Sequence, residues 1–241
     1  MNVNMFGLTD PGLKRTNNED SYLLRPELKF CCVADGMGGA AAGEIASYMF
    51  VTTAEEIFSE MGTENQDDAA TSVQMAFIIA NRKILEHVEG HPEFKGMGTT
   101  AELLTWSGDQ IIIGHVGDSR TYRLRNGILK QVTKDHSLIQ EQLDQGIITK
   151  EEARIHKMRH VILRAVGVED NISLDIIKTK AVPGDIYMLC SDGLPDMAED
   201  QDIENSMNIG KGLEEKADRL IELAKAGGGK DNITVVLAEI G

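Results

Sequence analysis

Four segments of this chain share one design, in which a short apolar or small-residue run carries an aspartate at a strand end. They are Cys32-Val33-Ala34-Asp35-Gly36, Gly114-His115-Val116-Gly117-Asp118-Ser119, Met188-Leu189-Cys190-Ser191-Asp192-Gly193, and Gly229-Lys230-Asp231-Asn232, which leads into a strand. Aspartate has a short stem, so the backbone nearly fixes where its carboxylate sits. Asp-Gly and Gly-Asp are also ordinary turn chemistry, so any one segment reads either way. Taken together, they point to strand ends gathered from distant parts of the chain into one centre. Carboxylates brought together repel and protonate unless a cation neutralises them. Hard divalent ions such as Mg²⁺ and Mn²⁺ prefer such oxygen ligands.

The pattern between these segments predicts an α+β chain. Strands are expected at Val3–Thr9, Ser21–Leu24 and Lys29–Ala34, the last ending abruptly in Asp35-Gly36-Met37-Gly38-Gly39. Helices are expected over Gly43–Met61 and about Asp68–Val88, where Val73, Phe77, Ala80, Ile84 and Val88 form one stripe. A block of strands covers Thr99–Val132, with Asn126-Gly127 marking a type I′ hairpin. Short helices follow at Leu138–Gln145 and Thr149–His156, the latter opened by the capping box Thr149-Lys150-Glu151-Glu152. Ser173–Lys178, Asp185–Cys190 and Ile233–Ile240 read as strands, and Leu213–Ala226 as a helix stopped by Gly227-Gly228-Gly229. Tight turns between neighbouring strands favour antiparallel pairing, hence two packed sheets with helices outside.

Length and charge narrow the function. The 241 residues suit one domain, 1–241, and no apolar run is long enough to span a bilayer. A formal net charge of −15 disfavours nucleic acid and anionic membranes as partners. Cys31, Cys32 and Cys190 are odd in number and lack CxxC spacing, so they read as reduced, buried thiols of a cytoplasmic protein. Cys31 and Cys32, being adjacent, are expected on opposite faces of one strand.

Arg15-Thr16-Asn17-Asn18-Glu19-Asp20 sets an arginine beside acids. It reads either as a surface ion pair or as a guanidinium that grips phosphate through two hydrogen bonds. In the second reading, Glu19 and Asp20 accept hydrogen bonds from metal-bound waters. Gly36 lets its own carbonyl approach a metal closely. No Gly-Lys-Ser/Thr or Gly-x-Gly-x-x-Gly phosphate loop is present.

Arg15…Asn18-Glu19-Asp20, Asp35-Gly36-Met37-Gly38-Gly39, Gly96-Met97-Gly98-Thr99-Thr100, Gly117-Asp118-Ser119-Arg120, Ser191-Asp192-Gly193 and Asp231-Asn232 occur in a specific order. That order, from Gly7 to Ile240, resembles the metal-dependent protein serine/threonine phosphatases of the PPM family (type 2C), in their compact bacterial branch. The resemblance implies a four-layer α-β-β-α sandwich with a small flap, approximately 138–165. It implies that Asp35 bridges two metals with the Gly36 carbonyl on one, and that Asp192 and Asp231 complete the other metal's shell. Asp118, with Asp192, would bind a third, weaker ion, and Arg15 would hold the substrate phosphate. The ions would be Mn²⁺ or Mg²⁺. Two metals sharing a water bring its pKa towards neutrality, and that water would attack phosphorus in line.

Three positions depart from the family pattern. Met37 and Ala40 stand where some relatives carry histidine, so a metal-bound water is the first choice to protonate the leaving group, with His136 and His160 as weaker candidates. Pro195 replaces a residue that is often threonine, which predicts a locally altered loop rather than lost metal binding. The polar stretch Leu143–His160 corresponds to the flap and suits a lid touching protein substrate, with His160 at its end near the third metal. The expected partners are phosphorylated proteins, the products of a Ser/Thr kinase, acted on by a monomer. A non-catalytic phosphoprotein-binding module and a hydrolase of small phosphate esters are the rival readings. Retention of every metal aspartate speaks against the first, and a comparison of phosphopeptides with small esters separates the second.

Overall fold

A computed structural model describes residues 1–38, 42–63 and 65–241. Its elements run β1 (Val3–Asp10), β2 (Asp20–Arg25), β3 (Phe30–Met37), α1 (Ala42–Met61), α2 (Gln66–Gly90), β4 (Gly98–Thr99), β5 (Ala101–Ser107), β6 (Gln110–Val116), β7 (Arg120–Arg125) and β8 (Ile128–Gln131). They continue with α3 (Leu138–Asp144), α4 (Lys150–Ile155), β9 (Asp175–Lys180), β10 (Ile186–Cys190), α5 (Asp200–Asn208), α6 (Leu213–Ala226) and β11 (Ile233–Ile240). One sheet has the order β1-β11-β10-β7-β8, the other β2-β3-β5-β6-β9 with β4 beside β3. The pairings are antiparallel, as the tight turns predict. The result is the expected α+β sandwich of two sheets flanked by helices. Among the described residues no helix is long and apolar enough to cross a membrane.

Strand alternation divides the apolar side chains among three layers. Cys31 and Val33 of β3 join Leu104, Ile113, Leu189 and Val236 between the sheets. Cys32 and Ala34, one residue out of phase, face α1 and α2 with Phe50, Phe58, Val73 and Phe77. The two adjacent cysteines therefore do lie on opposite faces. Met188, Cys190, Val235 and Leu237 face α5 and α6, against Ile203, Met207 and Leu220.

Most boundaries differ by a residue or two from the sequence expectation, and three differences have a visible physical reason. The third strand does not stop at Ala34, because Gly36 and Met37 pair with Thr99 and Gly98 of β4 and carry it through Asp35. Helix α2 starts earlier than Asp68, because the Asn65 side chain accepts from the Asp67 and Asp68 amides at 3.0 Å. Helix α5 has no counterpart in the sequence reading. Only Ile203 and Met207 of its nine residues are buried, too few to give a periodic stripe.

Helix α2 crosses β6 at Gly114. A Cβ there would lie 2.5 Å from Val73 Cγ1 and 2.7 Å from Phe77 Cε2. Gly114→Ala should destabilise the protein by about 1–3 kcal/mol through overpacking, and Val73→Ala in the same chain should recover part of that loss. Urea unfolding midpoints of the single and double variants check this; a neutral Gly114→Ala would refute the close packing.

Candidate active site

The sandwich brings the predicted aspartates to one end. Asp35 lies within β3, where its amide donates to Thr100 Oγ1 at 3.2 Å and its carbonyl accepts from Thr99 Oγ1 and the Thr100 amide, both at 2.9 Å. Asp20 stands directly across the β2–β3 ladder from Asp35. Asp118 sits in the short crossing from β6 in one sheet to β7 in the other, and Asp192 and Asp231 flank the paired strands β10 and β11. The backbone must pass close by at Gly36, whose Cβ would stand 1.9 Å from the Gly43 carbonyl oxygen.

Asp20 joins the two sheets. From β2 its Oδ2 accepts hydrogen bonds from Ser191 Oγ at 2.7 Å, beyond β10, and from Thr234 Oγ1 at 2.6 Å, in β11. Asn232 fixes the N-terminal loop in the same way. Its Oδ1 accepts from the Glu19 amide at 2.9 Å, and its Nδ2 donates to the carbonyls of Asn17 and Pro11. Arg15 thereby comes to Asp231, donating from Nη2 to Oδ2 at 2.8 Å. The ion pair of the first reading is thus present, at the mouth of the aspartate cluster. Half-buried Glu19 accepts from Asn17 Nδ2 at 2.9 Å.

Burial and crowding dominate the electrostatics. Burial pushes the Asp35 carboxyl well above the usual range, and the carboxylates of Asp20, Asp192, Asp118 and Asp231 push it further. Asp192 is raised by burial and then by Asp118, Asp196 and Asp231. Asp118 rises to about 7, mainly through burial. Asp20 rises to about 6, burial outweighing its bonds to Thr234 and Ser191. One oxygen each of Asp20, Asp118 and Asp192 is buried with no hydrogen-bond partner among the described residues. Unpaired carboxylate oxygens, hard donors already out of water, fit divalent ions.

His136 packs against the crossing that carries Asp118. Its Nδ1 accepts from the Gly117 amide at 3.2 Å, its own amide donates to the Gly117 carbonyl at 2.7 Å, and its carbonyl accepts from Leu163 at the flap's base at 2.7 Å. Burial, with help from His115, lowers it to about 4, and its Nε2 stands 3.2 Å from Arg164 Nη1 and 3.3 Å from Asp175 Oδ2. Behind it His115 pairs through Nδ1 with buried Glu102 and through Nε2 with the Lys134 carbonyl at 2.8 Å. Burial pulls the His115 pKa down, but Glu102 outweighs it and raises it. This buried network holds the residue before Asp118.

His160 is exposed at the flap's end, its Nδ1 3.4 Å from Asp196 Oδ2. Ligand atoms of His160, Asp192 and Asp196 lie within 4.8 Å of one another. Asp196 escaped the sequence reading, although its spacing carried a signal: its amide closes the turn back to the Asp192 carbonyl at 2.9 Å. The bonds that close this turn come from Leu194, Asp196, Met197 and Ala198, so Pro195 removes no donor the turn uses. Met37 is half-buried beside Gly98, and Ala40 lies outside the described residues. The three cysteines are free and buried; burial pushes Cys31 to about 12 and raises Cys32 and Cys190 as well, which leaves no thiolate nucleophile.

This architecture has close relatives. Residues 14–226 match the family model described as Protein phosphatase 2C. The serine/threonine protein phosphatase PstP of Mycobacterium tuberculosis is 42% identical over 233 residues, which are 96% of this chain and 44% of that protein. The chain thus spans less than half the length of PstP. The serine/threonine phosphatase stp of Listeria innocua is 37% identical over 96% of this chain and 93% of its own. A crystal structure of the catalytic domain of PstP in complex with two manganese ions superposes with a TM-score of 0.90 at 38% identity, covering 99% of each chain. Matches of this extent in sequence and in fold settle the relationship: the chain belongs to the protein phosphatase 2C (PPM) family of metal-dependent serine/threonine phosphatases, in the bacterial branch of PstP and PhpP.

Proposed function

We propose that this protein hydrolyses phosphoserine and phosphothreonine esters in other proteins, using Mn²⁺ or Mg²⁺. The observation that carries the reading is the set of unpaired, buried carboxylate oxygens on Asp20, Asp118 and Asp192, at the end of a sandwich that matches phosphatases over nearly its full length. Asp35, the Gly36 carbonyl, Asp192 and Asp231 would hold two ions, and Asp118 with Asp192 a weaker third. His160 and Asp196 stand beside that third position. When bound, the ions supply a water of lowered pKa and neutralise charge on the phosphoryl oxygens.

The chain's own groups do the rest. The β2–β3 ladder and the Asp20 bonds to Ser191 and Thr234 hold the two sheets' carboxylates at a fixed separation. Glu19 and Asp20 would accept hydrogen bonds from metal-bound waters. Arg15 gives one N–H to Asp231, and a guanidinium has four more with which to grip phosphate. His160, exposed at the flap's end, contributes to substrate binding. The substrates would be proteins phosphorylated by a Ser/Thr kinase. The buried free thiols suit action in the cytoplasm, and residues 1–241 would act as one domain in a monomer.

Phosphate release from a phosphothreonine peptide should require Mn²⁺ or Mg²⁺, stop with chelator, and fall at least about 100-fold in Asp192→Asn, the scale of several kcal/mol of lost electrostatic stabilisation. A rate untouched by chelator would sink the metal assignment. Arg15→Ala should lower kcat/KM about 10- to 100-fold, the scale of a lost charge-assisted hydrogen bond, with Arg15→Lys recovering part. An unchanged dependence on peptide concentration would remove Arg15 from the phosphate grip.

A stability measurement tests the electrostatics independently. Asp118 titrates near 7 in the folded chain, against about 4 when unfolded. The folded state therefore binds the extra proton, and its stability is lost as pH rises through that window. In chelator, Asp118→Asn should gain melting temperature relative to the parent between pH 5.5 and 7.5, by about 2–4 °C for each kcal/mol involved. Added Mn²⁺ should raise the parent's melting temperature more than the variant's. A parent–variant difference that is the same at both pH values would contradict the raised Asp118 pKa.

A further inference from the structure

Met37, two residues after Asp35 on β3, forms one wall of a cavity of about 80 Å³, and the segment 162–173 forms the other. Its lining is mainly apolar. Met37 is half-buried, while Leu163 and Val168 are 40% and 49% exposed, without a core role that explains their chemistry. Val168 and Met37 both pack over Gly98, where a Cβ would stand 2.8 Å from Val168 Cγ2 and 3.1 Å from Met37 Cε. Arg164, at the rim, is already engaged by Asp175 Oδ1 at 3.2 Å. Glu169, also at the rim, disfavours an acidic occupant.

The far wall is fixed. Val166 exchanges backbone hydrogen bonds with Thr99 at 2.8 and 3.0 Å, and Thr99 belongs to β4, which pairs with Gly36 and Met37. Buried Asn81 of α2 accepts from the Gly167 amide at 2.7 Å and donates to the Glu169 carbonyl at 2.9 Å. A cavity held this way needs no ordering when it is filled.

Position identifies the occupant. Asp35 and Met37 alternate along β3, so their side chains leave the same face about 7 Å apart. An extended peptide has the same repeat. With its phosphoresidue over Asp35, the side chain two residues away comes over Met37. We propose that this cavity is a specificity subsite that takes a short aliphatic side chain two residues from the phosphoresidue of a protein substrate. The proposal rests on the phosphatase reading above.

The test is a panel of phosphothreonine peptides with Val, Asp or Lys at each of the positions one and two residues before and after the phosphothreonine. It is run with Mn²⁺ beside p-nitrophenyl phosphate, which has no flanking chain. The parent should prefer Val over Asp about tenfold in kcat/KM at one of the positions two residues away, the scale of one aliphatic contact. Val168→Asp should erase that preference while p-nitrophenyl phosphate hydrolysis stays within about twofold, which also shows that the variant is folded. Leu163→Ser should weaken the preference in the same way. Equal parental rates for Val and Asp at both of those positions would overturn the subsite alone, as would a preference that survives Val168→Asp. Failure of the parent to release phosphate from either the peptides or the small ester would overturn the phosphatase reading, and the subsite with it.

Discussion

Carboxylates withdrawn from water repel each other, and nothing in hydrophobic collapse rewards bringing them together. Here Asp20, Asp35, Asp118 and Asp192 all have raised pKa values for that reason. Their convergence is imposed by the backbone. Two antiparallel sheets present strand ends side by side, and three apolar layers hold the sheets and helices in place. The local devices of the site serve the same end: the pairing of β4 that prolongs β3 past Asp35, the Asn232 bonds to the N-terminal loop, and the Asp20 bridge between sheets.

Much of this was legible in the chain. Strands and helices with a strong period, the Thr149 capping box and the opposite facing of Cys31 and Cys32 follow from local rules. The aspartates were legible because strand-end carboxylates recur, and their order carried the family resemblance. The rest depended on partners far away in sequence. Nothing near Asp35 announces that Gly98 and Thr99 will extend its strand. The buried Glu102–His115 pair reads from sequence as two isolated polar residues, since neither Lys134 nor Thr121 is local to Glu102. Asp196 was hidden by its neighbour, because one aspartate in Ser191-Asp192-Gly193 sufficed to explain the motif.

The surroundings of the site divide into fixed and projecting parts. The segment 166–169 is bonded to β4 and α2, whereas the flap helices α3 and α4 stand on a narrow base formed by the Ser137–Ile162 bridge and the Leu138–Val161 bond. His136 lies where that base meets the Asp118 crossing. Exposed Ile147 and Ile155 on the flap carry little packing against the sandwich. Such a division suits the proposed reading, in which the chemistry stays put while a protein substrate comes and goes.

The candidate metal ligands come from both sheets, and this has a consequence for how the site can change. Cys31 and Val33 precede Asp35 on the inner face of one sheet, while Leu189, three residues before Asp192, and Val236, five residues after Asp231, lie on the inner face of the other. These side chains act as the spacer of a caliper whose jaws are the two groups of carboxylates. Packed interiors transmit even a one-methylene change in volume, so a substitution in the spacer moves one jaw against the other. In the proposed metal centre, preference for a larger or smaller ion would then be set partly by apolar residues that never touch it.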